Sequence, residues 1–270
     1  MDALLTLPLV LAVVLVELAV GGAFLVWFLD RRGEAPAGFL KLTAAVDAVA
    51  AAAAVGLVPA LPRGERAAFL NLDVIGSFGQ AIAVVAALMV MQLILVFTPS
   101  RALRNVAGIV TVLTGIAALV VAAVARPASG ESPYDVFALA ALPLGALALG
   151  GVDGAMLLGH WYLVTPKLST APLRNAALVV VGAVALQLLV VIATVARGEL
   201  AGTTQTGLVV AIGIRVGVGL LMTLGVALAA WWTARMNTQS STGLLYVGLG
   251  TAFAGEISAR VLFFLTGAAV

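Results

Sequence analysis

The sequence predicts an all-α integral membrane protein, a bundle of eight transmembrane helices forming a single domain over residues 1–270. Three observations carry that reading. The chain is 63% hydrophobic and only 10% charged, whereas about a quarter of the residues of a soluble domain are charged. Apolar runs of about 20 residues or more recur, each long enough to cross a hydrocarbon core of about 30 Å. The connections are short and carry turn chemistry, from Arg31-Arg32-Gly33 to Arg197-Gly198.

The first run, 4–29, follows Met1-Asp2 without a basic leader and is too long for a signal peptide, so it reads as a retained helix. Run 39–61 is alanine on several faces and should lie buried among its neighbours. Runs 74–98 and 103–125 flank Thr98-Pro99-Ser100. The run over 134–164 contains Pro143, a kink candidate, and stops at Thr165-Pro166-Lys167. Run 174–196 ends at Arg197-Gly198. Run 206–233 is glycine-rich, and its Gly-x-Gly spacings sit inside an apolar span, where they serve packing rather than phosphate binding. The last run is 242–267, with the connection at 234–241 before it.

Charge in the loops sets the orientation. Arg31, Arg32, Lys41, Arg101, Arg104, Lys167, Arg174 and Arg235 follow the odd-numbered runs, eight against Arg63, Arg66, Arg126 and Arg197 on the other side. The basic side is therefore expected in the cytoplasm and both termini outside. The localisation expected is a bacterial cytoplasmic (inner) membrane. Trp27-Phe28, Phe97, Trp161-Tyr162 and Trp231-Trp232 close the basic ends of the odd runs as an aromatic belt. Leu95-Val-Phe-Thr-Pro-Ser-Arg-Ala-Leu-Arg-Asn105 also parallels 163–175 with a two-residue insertion, which suggests repeated helical hairpins.

Seven ionisable residues fall within the runs: Glu17, Asp47, Asp153, His160, Arg215, Glu256 and Arg260. Each costs roughly 2.5–3.5 kcal/mol at a helix centre by insertion scales, so partners or water are required. Glu256 and Arg260 are one turn apart and can pair. Arg215 has no partner on its own helix and must find Glu17, Asp153 or Glu256 on another. Four acids against two arginines leave at least one carboxylate without a strong cation, and such a group is the raw material of a proton relay. Asp153 and His160, seven residues apart, share a face about 10 Å apart along the axis. They are a candidate proton or ligand path, or His160 merely bonds a carbonyl at the rim. Gln80, Gln92 and Gln187 read as interhelical glue or as site residues.

Several chemistries are excluded. Without cysteine the chain holds no disulfide, thiolate metal site or cysteine-ligated iron–sulfur cluster. One histidine cannot form a bis-histidine haem site, and Met156 lies on the same helix as His160, so neither haem nor metal is expected in this chain. No phosphate loop, nucleophile elbow or zinc-protease motif is present, nothing points to nucleic acid, and no catalytic residue is assigned.

The last run contains Gly255-Glu-Ile-Ser-Ala-Arg-Val-Leu-Phe-Phe264. This resembles a Gly-Glu-x-x-x-Arg-x-Leu-Phe pattern of membrane anchor subunits of the dimethyl-sulfoxide-reductase and polysulfide-reductase type. The resemblance covers about ten residues. It implies a haem-free anchor of about eight helices, exchanging electrons between quinone and an iron–sulfur or molybdenum partner subunit. It also implies that Glu256 and Arg260 line or support a quinone pocket. The leading expectation is therefore a quinone/quinol-interacting anchor subunit of a respiratory or redox complex. Glu256, Arg260, Arg215, Asp153, His160 and Glu17 are the candidate quinone-binding or proton-relay residues. A proton-coupled transporter or channel using Glu17, Asp153 and Glu256 is the first alternative; a structural or assembly subunit is the second.

Overall fold

The computed structural model describes residues 3–33, 35–127, 134–165, 168–200 and 204–270. The expected starts and turns at Met1-Asp2, 128–131 and Pro166-Lys167 lie outside them. Every long element among the described residues is a helix: α1 (Ala3–Arg32), α2 (Ala37–Leu57), α3 (Leu72–Leu95), α4 (Arg101–Val124), α5 (Val136–Val164), α6 (Ala171–Ala196), α7 (Thr206–Thr233) and α8 (Thr238–Thr266). All eight are long and apolar enough to cross a membrane.

The ends differ from the hydropathy runs for local reasons. Polar caps set four of the starts, three of them ahead of the apolar run and that of α5 two residues inside it. Asn71 accepts from the Val74 N–H, Ser100 from Leu103, Asp135 from Ala138, and Asn237 from Gln239 and Ser240. Hence α8 begins four residues ahead of its expected start. Pro172 seats the first turn of α6, where its missing N–H costs nothing. A tighter turn at Val58–Ala60, containing Pro59, ends α2 early. At the far end Gly267, with φ of +80°, closes α8 in the left-handed conformation that glycine alone adopts freely.

Consecutive helices pack as hairpins, α1 on α2, α3 on α4, α5 on α6 and α7 on α8, and α1 also crosses α5 in extensive contact. That crossing is backbone on backbone. A Cβ on Gly21 would strike the Ala146 carbonyl, and one on Gly150 would strike Leu18 O and Gly22 N. Gly219 of α7 and Gly255 of α8 make a second such contact. Small residues thus replace a hydrophobic drive with close van der Waals approach. Gly213 and Gly217, by contrast, meet no neighbour.

The expected burial of the alanine-rich helix α2 is corrected: Val49, Ala52, Ala53 and Val55 face outward, while α1 is buried along most of its length. Alanine lets α2 lie close on α1 but offers too little surface to recruit neighbours all round. Helix α7 carries the other departure from expectation, a π-helical segment at Ile214–Met222. Its wider ladder shows in the Thr223 N–H, which bonds Val218 O five residues back. Such segments are rare and concentrate at functional sites.

The two ends of the bundle differ in charge. At one end Arg104 makes a two-pronged ion pair with Asp30, Nε to Oδ2 at 2.8 Å and Nη2 to Oδ1 at 3.0 Å. Arg31 lies over Trp27, Lys41 over Phe97, and Arg174 and Arg235 over Trp231. The opposite end holds Arg126, which bonds Gly267 O, and Arg197, which bonds both oxygens of Asp135. That guanidinium, followed by the Ala138 N–H, holds the Asp135 carboxyl below the usual aspartate range against partial burial.

Candidate functional site: a buried four-charge network

Four of the seven intrahelical charges meet at one place. Glu17 comes from α1, Arg215 from the second position of the π segment, and Glu256 and Arg260 from adjacent turns of α8. Glu256 is the hub. Its Oε1 accepts from Arg215 Nη1 at 2.9 Å and from Gln187 Nε2 of α6 at 2.8 Å; its Oε2 accepts from Arg260 Nη2 at 2.6 Å. Arg260 also donates to Ala141 O of α5 at 3.2 Å and faces Glu17 Oε1 through Nε at 2.8 Å. All four charged side chains are at most 2% exposed.

The network is neutral, two guanidiniums against two carboxylates, as burial requires. Removing several ions from water costs more than their attraction returns unless the remaining lone pairs and protons are also satisfied. Here satisfaction is incomplete. The Arg260 Nε–H does not point along its short line to Glu17, and Glu17 Oε2, Arg260 Nη1 and Arg215 Nε have no hydrogen-bond partner among the described residues. Space for the cluster comes from Gly145 on α5, whose Cβ would run into Arg260 Nη2, Glu256 Oε2 and Glu17 Oε1.

Asp153 and His160 are not brought into this network. Asp153 is buried two turns beyond Gly145 on α5, and its Oδ2 has no hydrogen-bond partner among the described residues. Asp47 on α2 is its neighbour, pressed against Gly22 of α1. His160 is exposed at the basic end, its Nδ1 3.0 Å from the Tyr246 hydroxyl. No hydrogen bond or ion pair links Asp153 to His160 among the described residues, although they share a helix face.

Three parts of the site were not singled out from the sequence as its members: Gly145, the Ala141 carbonyl and the π segment. Gly145 stands two residues after Pro143 but is one of five glycines in α5, so its place at the site leaves no distinct mark in the sequence. Gln187, which the sequence reads as glue or as a site residue, donates directly to Glu256. Of the other glutamines, Gln92 is buried in α3, and Gln80 lines an open cleft of about 400 Å³ between α2 and α3, with Arg63 and Leu72.

The fold and network together define a class, an eight-helix bundle long and apolar enough for a membrane, with a neutral charge cluster at its centre. Comparison with protein-family models, with curated proteins and with solved structures finds no match.

Proposed function

We propose that this chain is an integral membrane protein whose basic end faces the cytoplasm and whose residues 3 and 270 lie toward the outside. We further propose that it is a quinone- or quinol-interacting anchor subunit of a respiratory or redox complex, passing electrons to or from an iron–sulfur or molybdenum partner. The observation that carries this reading is the unsatisfied polar capacity of the Glu256 network. A cluster serving only to hold helices together gains by satisfying every donor and acceptor, because each one left unmade costs the full desolvation of the group. This one keeps guanidinium N–H donors on Arg260 and Arg215 and a carboxylate oxygen on Glu17 in reserve, inside an apolar bundle.

Those are the groups a quinone site uses: N–H donors for a carbonyl oxygen and a carboxylate to exchange a proton. Arg215 and Arg260 would hold the headgroup oxygens, and Glu17 and Glu256 would hold or move the proton. The quinone itself supplies the two-electron redox chemistry when bound. The orientation rests on the excess of lysine and arginine at one end of the bundle and on the aromatic rings that these cations cover there.

Glu256→Gln tests the reading, because glutamine keeps shape and hydrogen bonding while losing the exchangeable proton. Quinol oxidation by the isolated complex should fall at least tenfold with assembly intact. An assembled variant that turns over normally removes Glu256 from the chemistry.

A proton-coupled transporter is the second reading. It is favoured by Asp47 and Asp153, acids within the spans that lie outside the network and have no cation partner among the described residues. Asp153→Asn should then abolish substrate-driven proton uptake in proteoliposomes, and unchanged uptake would reject that role.

A further inference from the structure

Asp47 is 1% exposed, and neither of its oxygens accepts a hydrogen bond from any described residue. It reaches the backbone of α1 because Gly22 has no Cβ; any side chain there would overlap the carboxyl group. Asp153 flanks the same stretch of α1. Gly150, three residues before it, packs on the backbone of Gly21-Gly22, and Gly154, next to it, faces Leu25. The two carboxyl groups are close enough for like charges to repel. A second, independent sign of an unmet ligand lies one turn away. Thr43 is on the same face of α2 as Asp47, 0% exposed, and its hydroxyl has no hydrogen-bond partner among the described residues.

Among the described residues, no cation reaches this pair from any helix packed around it. From α1 the facing residue is Gly22, while Glu17 is committed to Arg260 and Asp30 to Arg104. On α2 itself Lys41 lies over Phe97, and the acid of α3, Asp73, is exposed at the helix start. Arg104 of α4 holds Asp30, and the guanidinium of Arg101 lies against Gly33. Arg174 of α6 stacks on Trp231, Arg260 of α8 belongs to the Glu256 network, and His160 of α5 turns to Tyr246. Two ionised carboxylates cannot persist side by side in such a place. The groups present are rich in acceptors and short of donors, and one added proton supplies the missing donor.

We propose that Asp47 and Asp153 form a one-proton site, in which Asp47 is held as the neutral acid and Asp153 carries the charge beside it. The division follows from exposure: neither oxygen of Asp47 finds a partner, whereas Asp153 is 7% exposed. The ligand is the proton itself, stored within the bundle and apart from the Glu256 network. The proposal does not depend on the quinone reading.

The test is infrared spectroscopy of the full chain in lipid nanodiscs, in light and heavy water at pH 7. An ordinary aspartate, with a pKa of about 3.9, is ionised there and shows no carbonyl stretch of a carboxylic acid. The wild type should show such a band, shifted by deuterium. Asp47→Asn should remove it, and Glu17→Gln should leave it. Asp153→Asn should keep the band but move its frequency, because the field of the neighbouring charge is gone. The proposal is overturned by no band in the wild type, by a band that survives Asp47→Asn, or by an unchanged frequency in Asp153→Asn. Loss of the band on adding sodium at constant pH would also overturn it, since the site would then hold a metal cation. If a variant fails to assemble, carbon-13 aspartate labelling of the wild type decides by solid-state NMR. One neutral aspartate is expected at pH 7, and none refutes the site.

Discussion

Arg260 faces two carboxylates, and replacing it with glutamine puts a magnitude on the buried network. The wild-type cluster is neutral; Arg260→Gln leaves it with one excess negative charge. If the stranded carboxylate stays ionised, the loss is that of a broken buried pair, about 3–5 kcal/mol. If it instead takes up a proton at pH 7, the cost is 1.36 kcal/mol per pH unit over the gap from a reference near 4.3, about 3.7 kcal/mol. The two routes agree, so a destabilisation of about 3–4 kcal/mol is expected at pH 7.

The second route carries a sign. The folded variant binds a proton that its unfolded chain releases, so its stability is lost as pH rises and regained as pH falls, by up to about 1.4 kcal/mol per unit. At pH 5 the deficit should shrink to about 1 kcal/mol. Glu17→Gln combined with Arg260→Gln is neutral again and should recover most of the loss. The assay is reversible unfolding in mixed micelles by sodium dodecyl sulfate titration, followed by circular dichroism between pH 5 and pH 7. A loss that does not change with pH, or a double variant equal to the sum of the two singles, would refute the reasoning.

Further outcomes are fixed by particular contacts. Gly21→Ala drives a Cβ into the Ala146 carbonyl, backbone that cannot turn aside, and should cost about 1–3 kcal/mol. Gly182→Ala, where the added atom meets nothing, should stay within about 0.5 kcal/mol of wild type; equal effects of the two in thermal melts would reject the crossing. Asp135→Ala removes a helix cap and a partner of Arg197, and should cost about 1 kcal/mol at neutral pH. Because Arg197 holds the Asp135 carboxyl below the usual range, that contribution is present above an unfolded value of about 3.9 and disappears as pH falls through the lower folded value. A deficit in Asp135→Ala that persists in strong acid would contradict this.

Much of the fold was legible because lipid-length apolar runs are a coarse and redundant signal. The eight helices fall where the runs do, and several ends move where a cap such as Asn237 or a proline such as Pro59 intervenes. Burial was less legible. Helix α2 looked central because alanine permits close packing on every side, but the glycines of α1 and α5 decided which helices form the axis. The Glu256–Arg260 pair followed from its spacing on one helix. That Arg215 would choose Glu256, and Arg260 would also take Glu17, depended on a π segment and on Gly145. Neither leaves a periodic mark in the sequence. The shared Leu-Arg-Asn of the two repeats illustrates the same limit: Arg104 grips Asp30, whereas the matching Arg174 stacks on Trp231.

We propose that the Glu256 network serves a quinone within a redox complex. Isolation in mild detergent, with mass spectrometry of both the co-purifying proteins and the bound lipids, decides whether it does. An iron–sulfur or molybdenum protein, together with quinone that Arg215→Leu depletes, is the predicted result. A lone protein with no bound quinone would contradict the claim.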